Sequence, residues 1–380
     1  MKNSVAIESL RAWMAWWVVF GHAAHLSGAD QFLNTYLYKL LTNAGTGVDV
    51  FIIVSGFVIT NLLLIKKEKY SQYIMRRAFR IYPIYIVSVI ISIFTLELYS
   101  AAYGGGSWVI EYDMRIARAA AQDTRFWEHL FLHLTMLHGI LPDSIMPFSG
   151  TAFLAPAWSL SLEWQFYLLA PLLIALLSGR TNIMLATTAF LLVLHVAFSS
   201  GHFGVWLYKP FLPLAIEYFL IGIFSRLALE YRPLIRMPPE LLLAAGATAA
   251  LFAGKLAMLI WVTFFILVLY EQGYVARASK LFGLFARLVA LNPYISTVGK
   301  WSYSTYLIHI PIFSIVVGGA IKLFGPQSQT TYVIWLVICM PLVFFASKYL
   351  YRFIEVPFID LGRRVTSQPQ PTASLPAAPG

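Results

Sequence analysis

Long uninterrupted apolar runs dominate the chain, separated by short stretches that are polar, basic or rich in Gly and Pro. The runs fall near residues 7–27, 46–65, 79–100, 158–177, 182–199, 207–225, 241–254, 256–271, 302–320 and 331–350. Most approach the length of about 20 residues that a helix needs to cross the hydrocarbon core. They lack the strict alternation of barrel strands, so helices are expected. The short runs at 241–254 and 256–271 read as two passes turning at Gly254 and Lys255 rather than as one long helix. Ten passes place both termini on one side together with the basic clusters 66–80, 226–236, 277–300 and 352–364. The excess of Lys and Arg in cytoplasmic loops makes that side the cytoplasm. The expected fold is an all-α integral membrane protein with about ten transmembrane helices in one bundle. The weakest part of that pattern is 126–141, read as re-entrant or interfacial.

Composition agrees. The chain is 59% hydrophobic and 12% charged, against about 25% charged in a soluble domain. The net charge of +10 sits in loops between spans and marks orientation, not nucleic-acid binding. A single cysteine, Cys339, excludes intramolecular disulfides and Cys-based metal clusters. Lys2, an apolar stretch and small residues near Ala29 imitate a secretory signal. Arg11, His22 and His25 within that stretch argue for an anchor that stays. The membrane domain is expected over 1–364, followed by a low-complexity, disordered cytoplasmic tail over 365–380. Under this topology the Gly-, Pro- and Trp-containing stretch from Tyr103 to Ala157 faces outward, as a lid or acceptor-binding segment.

Ionisable residues inside spans are expensive and point to function. Arg11 and His22 are eleven residues apart in the first run. At about 100° per residue they share one helix face, roughly 16 Å apart along the axis. A cation at the entrance with an imidazole below it suits an anionic ligand whose reactive end reaches inward. Arg76, Arg77 and Arg80 have helical spacings that point one way, and guanidinium forks suit phosphates. With Arg11 on the same side, they favour a polyphosphate donor over a purely topological role. Asp49 opens the second span, and Ser55-Gly56 lies within it, where small residues also serve close helix approach. Glu163 and Glu217 are two carboxylates either of which can orient His22, and the sequence does not choose between them. His25, one turn beyond His22, reads as its neighbour or as interfacial, and His309 as closing the pocket or as packing. A zinc site from His129, His133 and His138 lacks carboxylates at metal spacing, so no metal is expected. No nucleophile elbow, Walker loop or dinucleotide fingerprint occurs.

These pieces occur in a familiar order. Arg11 to His22 is followed by Gly47-Val48-Asp49 with Ser55-Gly56-Phe57-Val58, then Arg77 to Arg80 before Ile81-Tyr82-Pro83, then Trp158-Ser159-Leu160-Ser161-Leu162-Glu163. Glu217-Tyr218-Phe219-Leu220-Ile221-Gly222, Ser302-Tyr303-Ser304-Thr305-Tyr306-Leu307-Ile308-His309 and Tyr351-Arg352-Phe353-Ile354-Glu355-Val356-Pro357 complete the series. In this the chain resembles the membrane-bound acyltransferase family 3, which includes bacterial O-antigen and exopolysaccharide O-acetylases. Two positions depart from the family pattern. Glu8-Ser9 stands where Asp-Gly is usual, which keeps the charge. Glu163-Trp164 stands where two acidic residues are frequent, which removes a carboxylate.

The resemblance implies acetyl-CoA as co-substrate and a carbohydrate or glycolipid hydroxyl as acceptor. It implies residence in the bacterial inner membrane, with polysaccharide-assembly proteins as partners. Arg76, Arg77 and Arg80, with Ser55, would hold the donor; Arg11, His22 and Glu163 would serve the reaction. Some members carry a fused extracytoplasmic hydrolase-like domain; here transfer is expected to be finished by the membrane domain or by a separate partner. His22 would act as general base or as a transiently acylated relay. The competing classes are a relative using succinyl-CoA or another acyl donor, a secondary transporter with a His, Arg and Glu relay, and a non-catalytic scaffold in polysaccharide assembly.

Overall fold

A computed structural model describes residues 4–31, 33–230, 237–275 and 279–367. Among them the regular elements are all helical, with no strand. The helices are α1 (Val5–Ser27), α2 (Thr35–Thr42), α3 (Gly45–Ile65), α4 (Tyr70–Phe94), α5 (Leu96–Gly104), α6 (Tyr112–Thr124), α7 (Phe126–Thr135), α8 (Trp158–Leu177), α9 (Thr181–Ser199), α10 (Ile216–Ala228), α11 (Pro239–Ala250) and α12 (Lys255–Glu271). Then come α13 (Lys280–Val289), α14 (Pro293–Lys300), α15 (Ser302–Phe313), α16 (Gly319–Phe324), α17 (Gln329–Leu350) and α18 (Val356–Thr366). Wide π turns, Ser314–Gly318 and Tyr351–Glu355, join α15 to α16 and α17 to α18.

Every predicted run contains a helix, and 241–254 with 256–271 are indeed two, α11 and α12. Seven helical segments among the described residues are long and apolar enough to cross a membrane, so the expected ten is approximate. The run 207–225 yields a helix only from Ile216, because Pro210 and Pro213 interrupt its first half. Conversely, 280–300 was expected to be a basic loop and instead forms α13 and α14, one of the seven segments. Its arginine and lysines are diluted by Leu281, Leu284, Phe285 and Leu288, all exposed on α13. The stretch 126–141 holds only the ten-residue α7, about 15 Å long and too short to span. Val365 and Thr366, expected in the tail, belong to α18; the rest of the expected tail, from 368, lies outside the described residues, as do Arg277 and positions 231–236 of the basic clusters.

The centre of the bundle is α1, α3, α8, α10 and α15. α3 and α10 approach closely because each presents a glycine to the other's backbone. A Cβ on Gly56 would lie 2.5 Å from the Phe219 carbonyl, and one on Gly222 would collide with Ile53. Gly56 is thus a packing residue, as small residues between spans usually are.

The first turn of α1 is held from outside. Glu271, at the end of α12, accepts from Ser4 Oγ (2.5 Å), the Val5 amide (2.7 Å) and the Ala6 amide (3.2 Å). An anion on free N–H groups at a helix start is favourable on both hydrogen-bond and dipole grounds. Glu271→Gln is therefore expected to reduce stability by about 1–2 kcal/mol. The change would appear as a lower denaturation midpoint in detergent, with exposed Glu240→Gln as a control that does not move it.

Candidate functional site

A cavity of about 380 Å³ runs into the bundle between α1, α3, α4, α8 and α15. Its rim carries exposed Lys66 and Arg363, and its walls carry Arg11, Arg76, Arg77, Arg80, Ser55 and Glu163. Six residues singled out from sequence thus converge on one cavity from four helices. The helical spacing explains the α4 contribution: 76, 77 and 80 occupy the second and third turns of a helix that begins at Tyr70, earlier than expected.

Several partners are already set. Arg11 Nη1 lies 3.4 Å from Glu8, and Arg76 pairs with Glu68. Arg77 lies over the Tyr167 ring, 5.9 Å from its centroid. Glu163 accepts from Ser55 Oγ at 3.2 Å and from the Tyr167 hydroxyl, one helical turn on. Other polar atoms are buried with no partner: Arg76 Nε, Arg77 Nε, Ser302 Oγ and Tyr303 OH. Buried polar groups are normally hydrogen-bonded, so a basic cavity with unpartnered donors is matched to an anionic ligand.

The inner wall is made by Phe51, Ser159 and Tyr306. The Tyr306 hydroxyl lies 2.9 Å from Ser159 Oγ and donates to the Pro156 carbonyl at 3.1 Å. Behind this wall stand two histidines. The Tyr306 and His309 rings are 6.3 Å apart, and His309 to His22 is 5.1 Å. His22 does not itself line the cavity; Tyr306 and His309 stand between. His22 Nδ1 and His309 Nε2 are both enclosed without a hydrogen-bond partner, while His309 Nδ1 is 3.2 Å from the Thr305 carbonyl. His25 meets His22 edge-on at 6.3 Å.

Neither expected carboxylate bonds to His22. Glu217 is paired with His195 at 3.0 Å, a histidine of α9 that sequence reasoning did not single out. Glu163 faces the arginines because it lies one turn beyond Ser159, the α8 residue that meets Tyr306. Asp49 is neither free nor catalytic in aspect: it binds Lys209 Nζ and the Tyr218 hydroxyl, each at 2.9 Å.

The histidines of 126–141 serve architecture. His133 and His138 stack at 4.0 Å, and their Nε2 atoms meet the Ser149 and Ala157 carbonyls at 3.2 and 3.0 Å. Tyr85 adds a contact to His133 Nδ1 at 2.9 Å. These bonds fix the turns leading into α8, where Met136, Phe148 and Phe153 hold left-handed backbone without being glycine. Such conformations persist only when the surroundings enforce them.

Sequence reasoning also passed over Arg115 and Arg118 on α6. Both are 4% exposed, and their positive charges act on His22. Burial lowers the Arg118 pKa to about 10, so it remains cationic at neutral pH. Their spacing of three on one helix was the available signal.

Residues 4–352 match the profile of a family described as an acyltransferase domain. The chain is 30% identical over 165 residues to acyltransferase MdmB of Streptomyces mycarofaciens, covering 42% of this chain and 36% of the relative. A Staphylococcus aureus (strain COL) protein named "Putative O-acetyltransferase" is 26% identical over 371 residues, 86% of this chain and 55% of the relative. Peptidoglycan O-acetyltransferase OatA of Listeria monocytogenes is 25% identical over 341 residues, 82% and 50% respectively. The chain spans between about a third and a little over half the length of these relatives. No solved structure matches it. A multi-pass helical bundle, an arginine-walled cavity that ends near a histidine pair and a profile match across almost the whole membrane part lead to one assignment: the chain belongs to the acyltransferase 3 family.

Proposed function

We propose that the protein transfers an acetyl group from acetyl-CoA to a hydroxyl of a cell-envelope or exported carbohydrate, working in the bacterial inner membrane with its arginine-rimmed end and both termini in the cytoplasm. The observation that carries this reading is the convergence of Arg11, Arg76, Arg77 and Arg80 on a cavity whose inner wall abuts His309 and His22. A phosphorylated, elongated thioester fits that arrangement: phosphates bind at the guanidiniums, and the arm points at the histidines. Lys66 and Arg363 at the rim extend the positive field that draws the donor in.

For transfer, Tyr306 must turn away from Ser159 and the His309 ring must shift aside so that the thioester carbonyl reaches His22. His22 then takes the proton of the acceptor hydroxyl as its oxygen attacks the carbonyl carbon. The carbon–sulfur bond breaks, its electron pair stays on sulfur, and the imidazolium returns the proton so that CoA leaves as the free thiol. In the relay version, an imidazole nitrogen of His22 attacks the thioester carbonyl and expels CoA, whose sulfur takes up the imidazole proton. The acceptor oxygen then attacks the acetyl-imidazole, the acyl–nitrogen bond breaks, and the hydroxyl proton returns to the imidazole. His309 packs against His22 and holds its ring. Ser55, Tyr167 and Glu163 fix the cavity wall, and the Glu163 charge keeps the guanidiniums ordered.

The test is incubation of the purified protein in lipid nanodiscs with acetyl-CoA or succinyl-CoA and with cell-envelope glycan, followed by mass spectrometry of the glycan. A mass gain matching acetyl, with acetyl-CoA alone as donor, is expected. A gain matching succinyl would replace the donor, and no gain with either would overturn the reading.

A further inference from the structure

At the end of the bundle opposite the arginine-rimmed mouth, a second cationic group is buried and incompletely paired. Arg115 and Arg118 are one turn apart on α6, on a pair of tyrosines one turn apart on α5. The Arg115 guanidinium is 4.7 Å from the Tyr103 ring centroid, and that of Arg118 is 4.8 Å from Tyr99. The two tyrosines stack at 4.3 Å. Arg115 donates Nε to the Ile110 carbonyl at 3.0 Å and reaches the half-exposed Glu111 only at 3.5 Å. Arg118 makes no hydrogen bond or ion pair with the described residues, and its guanidinium lies over the Tyr99 ring.

Burying a guanidinium without an anion is costly, and cation–π contact offsets only part of the loss. A purely structural role would be filled more cheaply by an apolar residue at 118. The hydroxyls of the two tyrosines beneath the pair, Tyr99 and Tyr103, are likewise without a hydrogen-bond partner and are 7% and 1% exposed. With the Arg118 guanidinium they are hydrogen-bond donors that no acceptor among the described residues fills. Tyr208, within reach of the Arg115 and Arg118 charges, stacks on Trp158 at 5.6 Å with near-parallel rings, a surface suited to a sugar face. The Ile110 amide, beside Arg115's acceptor, donates to the His25 carbonyl at 3.1 Å, so the group is anchored to the His22 end of α1.

We propose that Arg115 and Arg118 form a subsite for an acidic group, a carboxylate or a phosphate, carried by the acceptor saccharide, and so hold the acceptor hydroxyl near His22. This rests on the acyl-transfer reading for the acceptor's role, while the subsite itself is tested by binding alone. The donor phosphates have their own arginines around the other mouth. That leaves the α6 pair for the second substrate.

The experiment is saturation-transfer NMR on the nanodisc-held protein, titrated with methyl glucuronide, glucose 6-phosphate and methyl glucoside. Preference for an acidic probe over the neutral glucoside of at least about tenfold is expected, and which acidic probe is preferred separates carboxylate from phosphate. Arg118→Gln should bring the preference to near unity, Arg118→Lys should retain part of it, and Arg125→Gln, a change at an exposed neighbour, should retain all of it. Equal binding of the three probes by the native protein would overturn the subsite. So would an unchanged preference in folded Arg118→Gln, since the arginine would then only tether α6 to α5. Selective acidic binding without any acetyl transfer would leave the subsite standing and remove the transferase reading instead.

Discussion

His22→Ala is expected to lower glycan acetylation by about 10²–10⁴-fold while leaving donor affinity within about twofold. General-base assistance contributes that range when the nucleophile is a hydroxyl of high pKa, and the acyl-relay version would lose at least as much. Loss of kcat with little change in KM for the donor is the pattern of a group acting in the transition state. His22 lies behind Tyr306 and His309, not among the cavity-lining residues, which is why donor binding should survive. His309→Ala is expected to act in the same direction but more weakly, because it removes the neighbour that orients the ring rather than the ring itself. Steady-state kinetics of glycan acetylation, with thermal unfolding to confirm the fold, measures both. Equal donor-affinity losses in the two variants would instead place the imidazoles in donor binding.

The second large effect belongs to the arginines of α4. Arg77→Gln and Arg80→Gln should each raise the donor KM by about tenfold or more, since a charge-assisted hydrogen bond contributes about 1.5–3 kcal/mol. Arg77 has an unpartnered Nε and packs on the Tyr167 ring, so its fork is available to a ligand. Arg76 is paired with Glu68, and Arg76→Gln should act more weakly. Isothermal titration with non-hydrolysable acetyl-CoA orders the three, and the same titration with dephospho-CoA identifies which arginine meets the ribose phosphate.

Much of this was visible in the residues because helical periodicity is rigid. Arg11 and His22 fall on one unbroken helix, α1, so arithmetic at about 100° per residue was a sound guide. The α4 arginines converge for the same reason. Tertiary pairing was not visible. His195 and Glu217 are on different helices, and only packing of α9 against α10 reveals that they belong together. Periodicity likewise gives no depth, so it could not place Tyr306 and His309 between the cavity and His22. Arg115 and Arg118 were overlooked because they lie in a segment of ordinary polar composition, where burial depends on the aromatic floor provided by α5. The late start of the helix in 207–225, at Ile216, follows from Pro210 and Pro213, which the apolar content obscured.

In the proposed reaction a thioester entering between the arginines is opened at His22 for a carbohydrate hydroxyl. The most direct test is free-thiol release from acetyl-CoA by the purified protein and by His22→Ala, each with and without cell-envelope glycan. Release that requires both His22 and the glycan is the predicted result. Release by folded His22→Ala at the native rate would contradict the account.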